Sequence, residues 1–357
     1  MNRRMMSIAP WALALALALL SDAAAQTVCN TTPAPRSVQT RPALTGRMVF
    51  QSPTQLYLTD FSAGTTNPIS FTTSSGPAPT LTAASNAIFS ADGRWIVFYA
   101  GWTPTGGQQR FDVFVARSDG SHLVDLTVDQ DPSQNYEDPA FTANQTTVYF
   151  KRLYLPQGSQ THAAAIMKMQ VSLPPVGSSS DPSRVGAPVQ VLNDNVTEYS
   201  KPSPSPTGKY VYYFTGTSPN LGVYRLNTQS GAVETVSAVS GVVSYYPVPR
   251  DLTATFYAGW INGSTNDQIW VYAPGVKSAN TLLSLNDPNY NDSDPASVDE
   301  DYILFSSNRC SVAGVSDYKL YVGQPGTTKY WLLNIDGIWD PAGGLLGSNY
   351  TLTPAGP

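Results

Sequence analysis

One pattern recurs along most of this chain, and that recurrence limits what it can fold into more than any other feature. Each copy opens on a polar or aromatic residue, usually placed before Pro, and continues as a short strand. A polar turn follows, and then a β-rich run that ends on Phe or Tyr. The copies read Asn86-Ala-Ile-Phe-Ser-Ala-Asp-Gly-Arg-Trp-Ile-Val-Phe98 and Asp138-Pro-Ala-Phe-Thr-Ala-Asn-Gln-Thr-Thr-Val-Tyr-Phe150, followed by residues 201–213, 246–256 and 294–305. The terminal aromatics Phe50, Phe98, Phe150, Tyr213, Phe256 and Phe305 lie 48, 52, 63, 43 and 49 residues apart. After each comes an alternating segment (112–116, 165–170, 222–226, 268–272, 318–322), then a shorter outer one (123–127, 189–192, 234–237, 282–285, 330–333). Four short antiparallel strands at such a period define a β-propeller blade, and a period shared over so long a stretch argues against stacked sandwiches. Helical periodicity is absent outside the N-terminus, and 27 Gly with 29 Pro supply the turns.

The ends fix the number of blades. The first aromatic copy, Gly46-Arg-Met-Val-Phe50, lacks an innermost strand, whereas Trp339-Asp340-Pro341 repeats the leading turn and residues 343–352 offer one more strand. Joining the two halves predicts an all-β, six-bladed propeller of four-stranded blades, closed by pairing of N- and C-terminal strands. Closure of this kind removes exposed sheet edges.

Residues 89–98, Phe-Ser-Ala-Asp-Gly-Arg-Trp-Ile-Val-Phe, and 112–127, with the Ser-Asp-Gly turn and the Leu-Thr ending, resemble the TolB-type propeller repeat. The second blade matches well, the third and fourth in part, and the fifth and sixth lack the Asp-Gly turn. The resemblance covers residues 46–350 as an architecture. It implies little about chemistry, because such repeats serve periplasmic scaffolds, propeller domains of serine peptidases and polysaccharide lyases. The separate N-terminal α/β domain of TolB has no room in residues 26–45.

Ahead of the repeats, Arg3 and Arg4 precede a 13-residue apolar run at 8–20, and Ala23-Ala24-Ala25 fits a small-x-small cleavage site. Residues 1–25 are therefore predicted to be a signal peptide, residues 26–45 an N-terminal tail and residues 46–357 the propeller, in a periplasmic or secreted protein. The run is too short to span a bilayer comfortably, so no membrane span is expected in the mature chain; the alternative is a retained anchor. Export would oxidise the two cysteines, and a Cys29–Cys310 disulfide would clip the tail to the last blade. Closing a loop of that length would contribute about 4–5 kcal/mol on the chain-entropy model; two free thiols are the alternative.

With 20 basic against 25 acidic residues, the chain has no surplus to neutralise a phosphate backbone, so nucleic acid is not an expected partner. Two His and two Cys cannot build a Cys/His zinc cluster. No cofactor is implied. Calcium would suit the oxygen-rich loops 129–131 and 286–294, which do not follow the EF-hand spacing.

Candidate site residues come from the segments that lead into the innermost strands, which gather around the axial channel. These are Glu137, Asp138, Tyr199, Lys201, Tyr245, Tyr246, Asp292, Asp294, Trp339 and Asp340, with Ser85-Asn86 as the first blade's partner. Aromatic faces stack on apolar sugar or side-chain surfaces, and carboxylates accept hydrogen bonds or hold a cation. The near-duplicates Phe98-Tyr-Ala-Gly-Trp102 and Phe256-Tyr-Ala-Gly-Trp260, together with Arg152 and Arg309, are placed on the rim of the same face. Turn capping and blade packing are the competing structural roles for these residues. The expected activity is recognition of a protein segment or glycan by a monomer. The alternative is a carbohydrate-active enzyme, either a polysaccharide lyase or a glycoside hydrolase. No Gly-x-Ser-x-Gly elbow is present, His122 follows a solvated turn, His162 sits in a Gly/Ser/Gln-rich loop, and no carboxylate pair is singled out for glycoside chemistry. Whether the chain is an enzyme stays open at this level.

Overall fold

The computed structural model describes residues 44–51, 55–104, 107–194, 198–216, 220–237, 241–250, 254–261, 263–264, 266–273, 280–297, 301–309, 318–333 and 351–352. The predicted signal peptide, Cys29, Cys310, Trp339 and Asp340 lie outside these residues, as does the proposed disulfide.

Blade 1 contains β1 (Arg47–Gln51), β2 (Leu56–Asp60) and β3 (Thr65–Pro68), and a small hairpin, β4 (Thr72–Thr73) with β5 (Gly76–Pro77), follows it. Blade 2 is β6 (Thr82–Phe89), β7 (Trp95–Trp102), β8 (Arg110–Arg117) and β9 (Val124–Asp125). Blade 3 is β10 (Asn135–Phe141), β11 (Thr147–Tyr154), β12 (Ala163–Ser172) and β13 (Ser183–Leu192). Blade 4 is β14 (Glu198–Pro204), β15 (Tyr210–Gly216), β16 (Gly222–Asn227) and β17 (Val233–Thr235). Blade 5 is β18 (Val242–Pro249), β19 (Thr255–Ile261), β20 (Gln268–Tyr272) and β21 (Asn280–Leu282). Blade 6 is β22 (Asp292–Ser297), β23 (Ile303–Ser307), β24 (Lys319–Gly323) and β25 (Tyr330–Leu332). The closing strand β26 (Thr351–Leu352) returns to pair with β1, Met48 opposite Leu352 and Val49 opposite Thr351, and becomes the innermost strand of blade 1. Six four-stranded blades closed by both ends of the chain are thus present, as the repeat spacing predicts.

The aromatic that ends each repeat sits on the second strand of its blade and is buried in all six: Phe50, Phe98, Phe150, Tyr213, Phe256 and Phe305 are each at most 2% exposed. Its cross-strand partner on the third strand is aromatic in four blades, and the rings stack. Phe50–Tyr57, Phe98–Phe114, Tyr213–Tyr224 and Phe305–Tyr321 have centroids 5.4–5.9 Å apart and interplanar angles of 15–23°. Phe150 instead faces Met167, and Phe256 faces Val271. Core clusters straddle neighbouring blades: Phe98 and Phe114 of blade 2 pack with Val49 and Leu56 of blade 1, and Met48 and Phe50 pack with Leu304, Leu320 and Trp331 of blade 6. Each aromatic therefore serves both its own blade and the ring.

Two features exceed the sequence reading. The outer strand of blade 3 is ten residues long, beginning at Ser183 instead of near Val189, and the β4–β5 hairpin was not expected. Among the described residues no helix is long and apolar enough to cross a membrane.

Candidate functional site: the axial ring

Sequence reasoning places residues such as Tyr136, Glu137 and Asp138 in loops ahead of the innermost strands. In the structure they lie within those strands, and in blades 2 to 6 each innermost strand is broken by a bulge. The ladder register slips between Ser85 and Ile88, Glu137 and Ala140, Ser200 and Ser203, Tyr245 and Val248, and Ser293 and Ala296. At each slip one non-glycine residue adopts the left-handed conformation: Asn86 (φ 52°), Asp138 (51°), Lys201 (53°), Tyr246 (50°) and Asp294 (48°). In four of the five the next residue is Pro, which has no N–H to donate to the ladder, so a bulge loses little there. A left-handed Lys or Tyr is nonetheless unfavourable by about 1–3 kcal/mol, and such strain persists only where the surroundings enforce it.

The five side chains meet around the axis. The Asn86 amide Nδ2 donates to the Asp138 carboxylate Oδ1, linking blades 2 and 3. Lys201 is buried, and both Asp138 and Asp294 act on its ammonium. Burial holds the Lys201 pKa below the ordinary lysine value, with the two carboxylates working in the opposite direction. Its Nζ lies 5.5 Å from the centroid of the Tyr246 ring. Asp294 accepts from Ser306 Oγ at 3.0 Å. Burial, then the charges of Asp294 and Asp138, push the Tyr246 phenol well above its usual range. Tyr99, which the sequence reading did not single out, joins the ring: burial and the charges of Asp138 and Glu137 push it up to about 12.

An aromatic wall stands beside the ring in blades 4 and 5. Tyr245 meets Tyr246 edge-on at 4.9 Å and Trp260 at 5.4 Å, and Phe214 meets Tyr246 at 5.7 Å. Behind it Asp267, also missed from sequence, hydrogen-bonds to Tyr245 and Ser293, and burial pushes its carboxyl up. Because Tyr136 pairs with Arg152, Val243 with Trp260 and Asp292 with Ser307, the starts of the innermost strands and the ends of the second strands share one face. By this register Trp102, Trp260, Arg152 and Arg309 stand at that same end of their blades.

Several rim candidates are committed to structural partners. Arg309 donates Nε to Asp292 Oδ1 at 3.0 Å and Nη2 to Asp292 Oδ2 at 2.5 Å; the Asp292 side chain is fully buried. Arg152 bonds Gln190 at 2.8 Å and lies over Tyr154, Glu137 pairs with Lys151 at 3.2 Å, and Tyr199 donates to Asp194 at 3.1 Å. The duplicated Tyr-Ala-Gly-Trp segments also diverge. Trp102 donates its indole N–H to Asp112 at 2.5 Å, whereas Trp260 packs on Tyr245. Their shared glycines have one purpose: a Cβ on Gly101 would strike Thr82, and one on Gly259 would strike the Val243 carbonyl of the innermost strand.

The oxygen-rich loops are likewise used internally. Asp129 pairs with Arg184, Asp131 accepts from Ser133 and Gln134, and Asn286 braces Ile269 and Leu283. No three His, Cys, Asp or Glu residues converge as a metal site among the described residues. His122 bonds Asp181 at 2.8 Å, and His162 is exposed.

Beneath Trp102 lies a second polar cluster. Arg110 Nε donates to Asp112 Oδ2 at 2.6 Å, Thr127 donates to Asp112 Oδ1 at 2.8 Å, and Asp125 accepts from the Thr127 N–H at 2.8 Å. Asp125 Oδ2 is buried without a partner, and burial with the nearby Asp112 charge pushes Asp125 up to about 8. Unfolded, the same carboxyl ionises near its usual value of about 4. Between those values the folded state holds a proton that the unfolded state has released, so this group's contribution to stability falls as pH rises. Asp125→Asn is therefore expected to gain stability relative to the parent between pH 5 and 8, read as the change in the difference of their urea midpoints. Parallel pH profiles would refute the assignment.

No family model and no curated protein matches the chain. Solved structures do. TolB from Acinetobacter baumannii superposes with a TM-score of 0.57 at 14% identity, over 93% of this chain and 70% of that one. Oligogalacturonate lyase from Vibrio parahaemolyticus matches with a TM-score of 0.51 at 11% identity, over 86% and 85%. A puromycin-hydrolysing peptidase from Mycobacterium tuberculosis matches with 0.53 at 13%, over 87% of this chain and 45% of that one. At such identities the likeness is one of fold, and the fold is that of a TolB-like six-bladed β-propeller.

Proposed function

We propose that this chain is an exported recognition module that takes a protein segment or a glycan at the axial face, working in the periplasm or outside the cell. One observation carries the reading: five blades turn a polar or aromatic side chain toward the axis at the same bulge, at the expense of backbone strain. Single turn residues elsewhere, His122 and Gln145, are also left-handed, but only around the axis does the conformation recur at the equivalent place in five blades, which supports a functional surface. The proposed ligand meets the ring of Asn86, Asp138, Lys201, Tyr246 and Asp294 and the wall of Tyr245, Tyr246 and Trp260. Neighbouring folds include both a TolB and a lyase, so the same face is also where an enzymatic variant of the reading would act.

A photo-crosslinking residue placed at Tyr199 on this face, and separately at Gln229 in the turn between β16 and β17 on the opposite face, tests the proposal in the exporting cell. Crosslinks are expected from position 199 and absent from 229; equal yields from both would defeat it. Incubation with neutral and uronic polysaccharides separates the enzyme reading. Unsaturated or reducing products that vanish in Tyr246→Phe would replace pure recognition by catalysis.

A further inference from the structure

We infer that the axial ring takes a single primary ammonium or guanidinium group, the side chain of a lysine or arginine on a polypeptide segment; this rests on the recognition reading above and names what is recognised. The first argument is a balance of charge. Glu137 is matched by Lys151, and Asp292 by Arg309. Asp138 and Asp294 both act on the one ammonium of Lys201, whose charged form burial disfavours. Among the described residues the ring thus brings two carboxylates to one ammonium, a setting that favours a further cation.

The second argument is independent of charge. The Asn86 carbonyl Oδ1 is buried and accepts no hydrogen bond, although Asn86 is 7% exposed and its Nδ2 is fixed on Asp138. A buried acceptor without a donor is unfavourable by about 1–3 kcal/mol, and a ligand N–H would relieve it. An anionic or acceptor-only ligand would not. The third argument is the wall: Tyr245, Tyr246, Trp260 and Phe214 form a continuous cluster beside the ring, and the faces of such rings attract cations.

The ring's members already touch one another from blade to blade, through Asn86–Asp138 and Lys201–Tyr246. A ring joined in this way is better matched by a slender aliphatic stem with a charged tip than by a pyranose. A basic side chain on an extended polypeptide meets both conditions.

The test uses the full chain, 15N-labelled, with Asn86→Asp identifying the side-chain amide signal of Asn86. Blocked lysine amide, blocked arginine amide, blocked norleucine amide and a glucosamine trimer are titrated separately. The lysine and arginine probes are expected to shift the Asn86 amide saturably, about ten-fold more tightly than norleucine, as a charge-assisted hydrogen bond implies. Asp294→Asn should remove most of that preference while Asp119→Asn, in a turn on the opposite face, should keep it. If Asp294→Asn does not fold, Asp138→Asn serves the same purpose. Equal binding of norleucine and lysine would overturn the inference, and so would an Asn86 signal indifferent to every probe. A glucosamine trimer binding more tightly than lysine would assign the amine to a glycan and overturn the polypeptide source. Should these fail while position 199 still crosslinks, only this inference falls; should crosslinking fail as well, the recognition reading falls with it.

Discussion

Truncation after Tyr350 is expected to open the ring and lower the thermal midpoint by about 10 °C, since a loss of 1 kcal/mol shifts a domain of more than about 150 residues by about 2–4 °C. The deleted strand β26 supplies the innermost position of blade 1 and touches the innermost strands of blades 2 and 6. Without it, the backbone of Met48 and Val49 loses its ladder partners while the side chains of Met48, Val49 and Phe50 remain fully buried on either side. Each lost ladder bond is worth about 1 kcal/mol, and a buried group left unpaired is worth more. The newly exposed edge is also a template for other chains, so the variant should associate as its concentration rises. The packing of Met48 and Phe50 against Leu304, Leu320 and Trp331 survives the deletion, which is why a weakened ring is expected and not a disordered chain. A peptide of residues 346–357 supplied in trans should refill the vacant position and restore the midpoint. A truncated chain that melts with the parent would show that packing between blades 1 and 6, not strand pairing, closes the ring.

The architecture was legible because each blade must bury its own aromatic. Phe98 and Phe305 follow the same two-residue alternation in sequence, and both end up stacked on the third strand. Blade count followed from the half-blade at Gly46–Phe50, whose missing strand could come only from elsewhere in the chain. The axial face was legible in part. Polar-Pro pairs marked Asp138, Lys201, Tyr246 and Asp294, yet they read as turns because a Pro inside a strand looks like a boundary; the bulge that turns these side chains to the axis is a property of the folded ladder. Partnerships that cross blades left no local trace. Nothing in the spacing of Lys201 with Asp138 and Asp294 announces that they meet, because the contact depends on how whole blades are set around the ring. Tyr99 and Asp267 were missed for the same reason, although the alternation that buries Phe98 already turns Tyr99 to the opposite side.

Arg309→Met should cost about 3–5 kcal/mol, the usual penalty for stranding one member of a buried ion pair. Asp292 has no exposed side-chain surface, and Arg309 supplies two of its donors; the Asp287 N–H at 2.9 Å and the Ser307 hydroxyl also bond it. Burial already pushes the Asp292 carboxyl up even with the guanidinium in place. Removing the guanidinium therefore raises it further, and the folded variant would hold a proton that its unfolded form releases near the ordinary value of about 4. The sign follows: the deficit of Arg309→Met relative to the parent is smallest in acid and grows as pH rises through neutrality. Urea unfolding at pH 5 and pH 8 measures it, and a deficit independent of pH would mean that Arg309 acts through its stacking at 4.1 Å on Tyr330 and not through charge. The double variant Asp292→Leu/Arg309→Met removes both charges and should recover much of the loss, as apolar replacements of buried pairs do. Recovery should stop short of the parent, because the Asp287 N–H loses its acceptor and the Leu285 carbonyl its donor at 2.7 Å. A double variant no better than Arg309→Met would place the energy of this pair in those backbone bonds, and would make Asp292 and Arg309 struts of the loop joining blades 5 and 6.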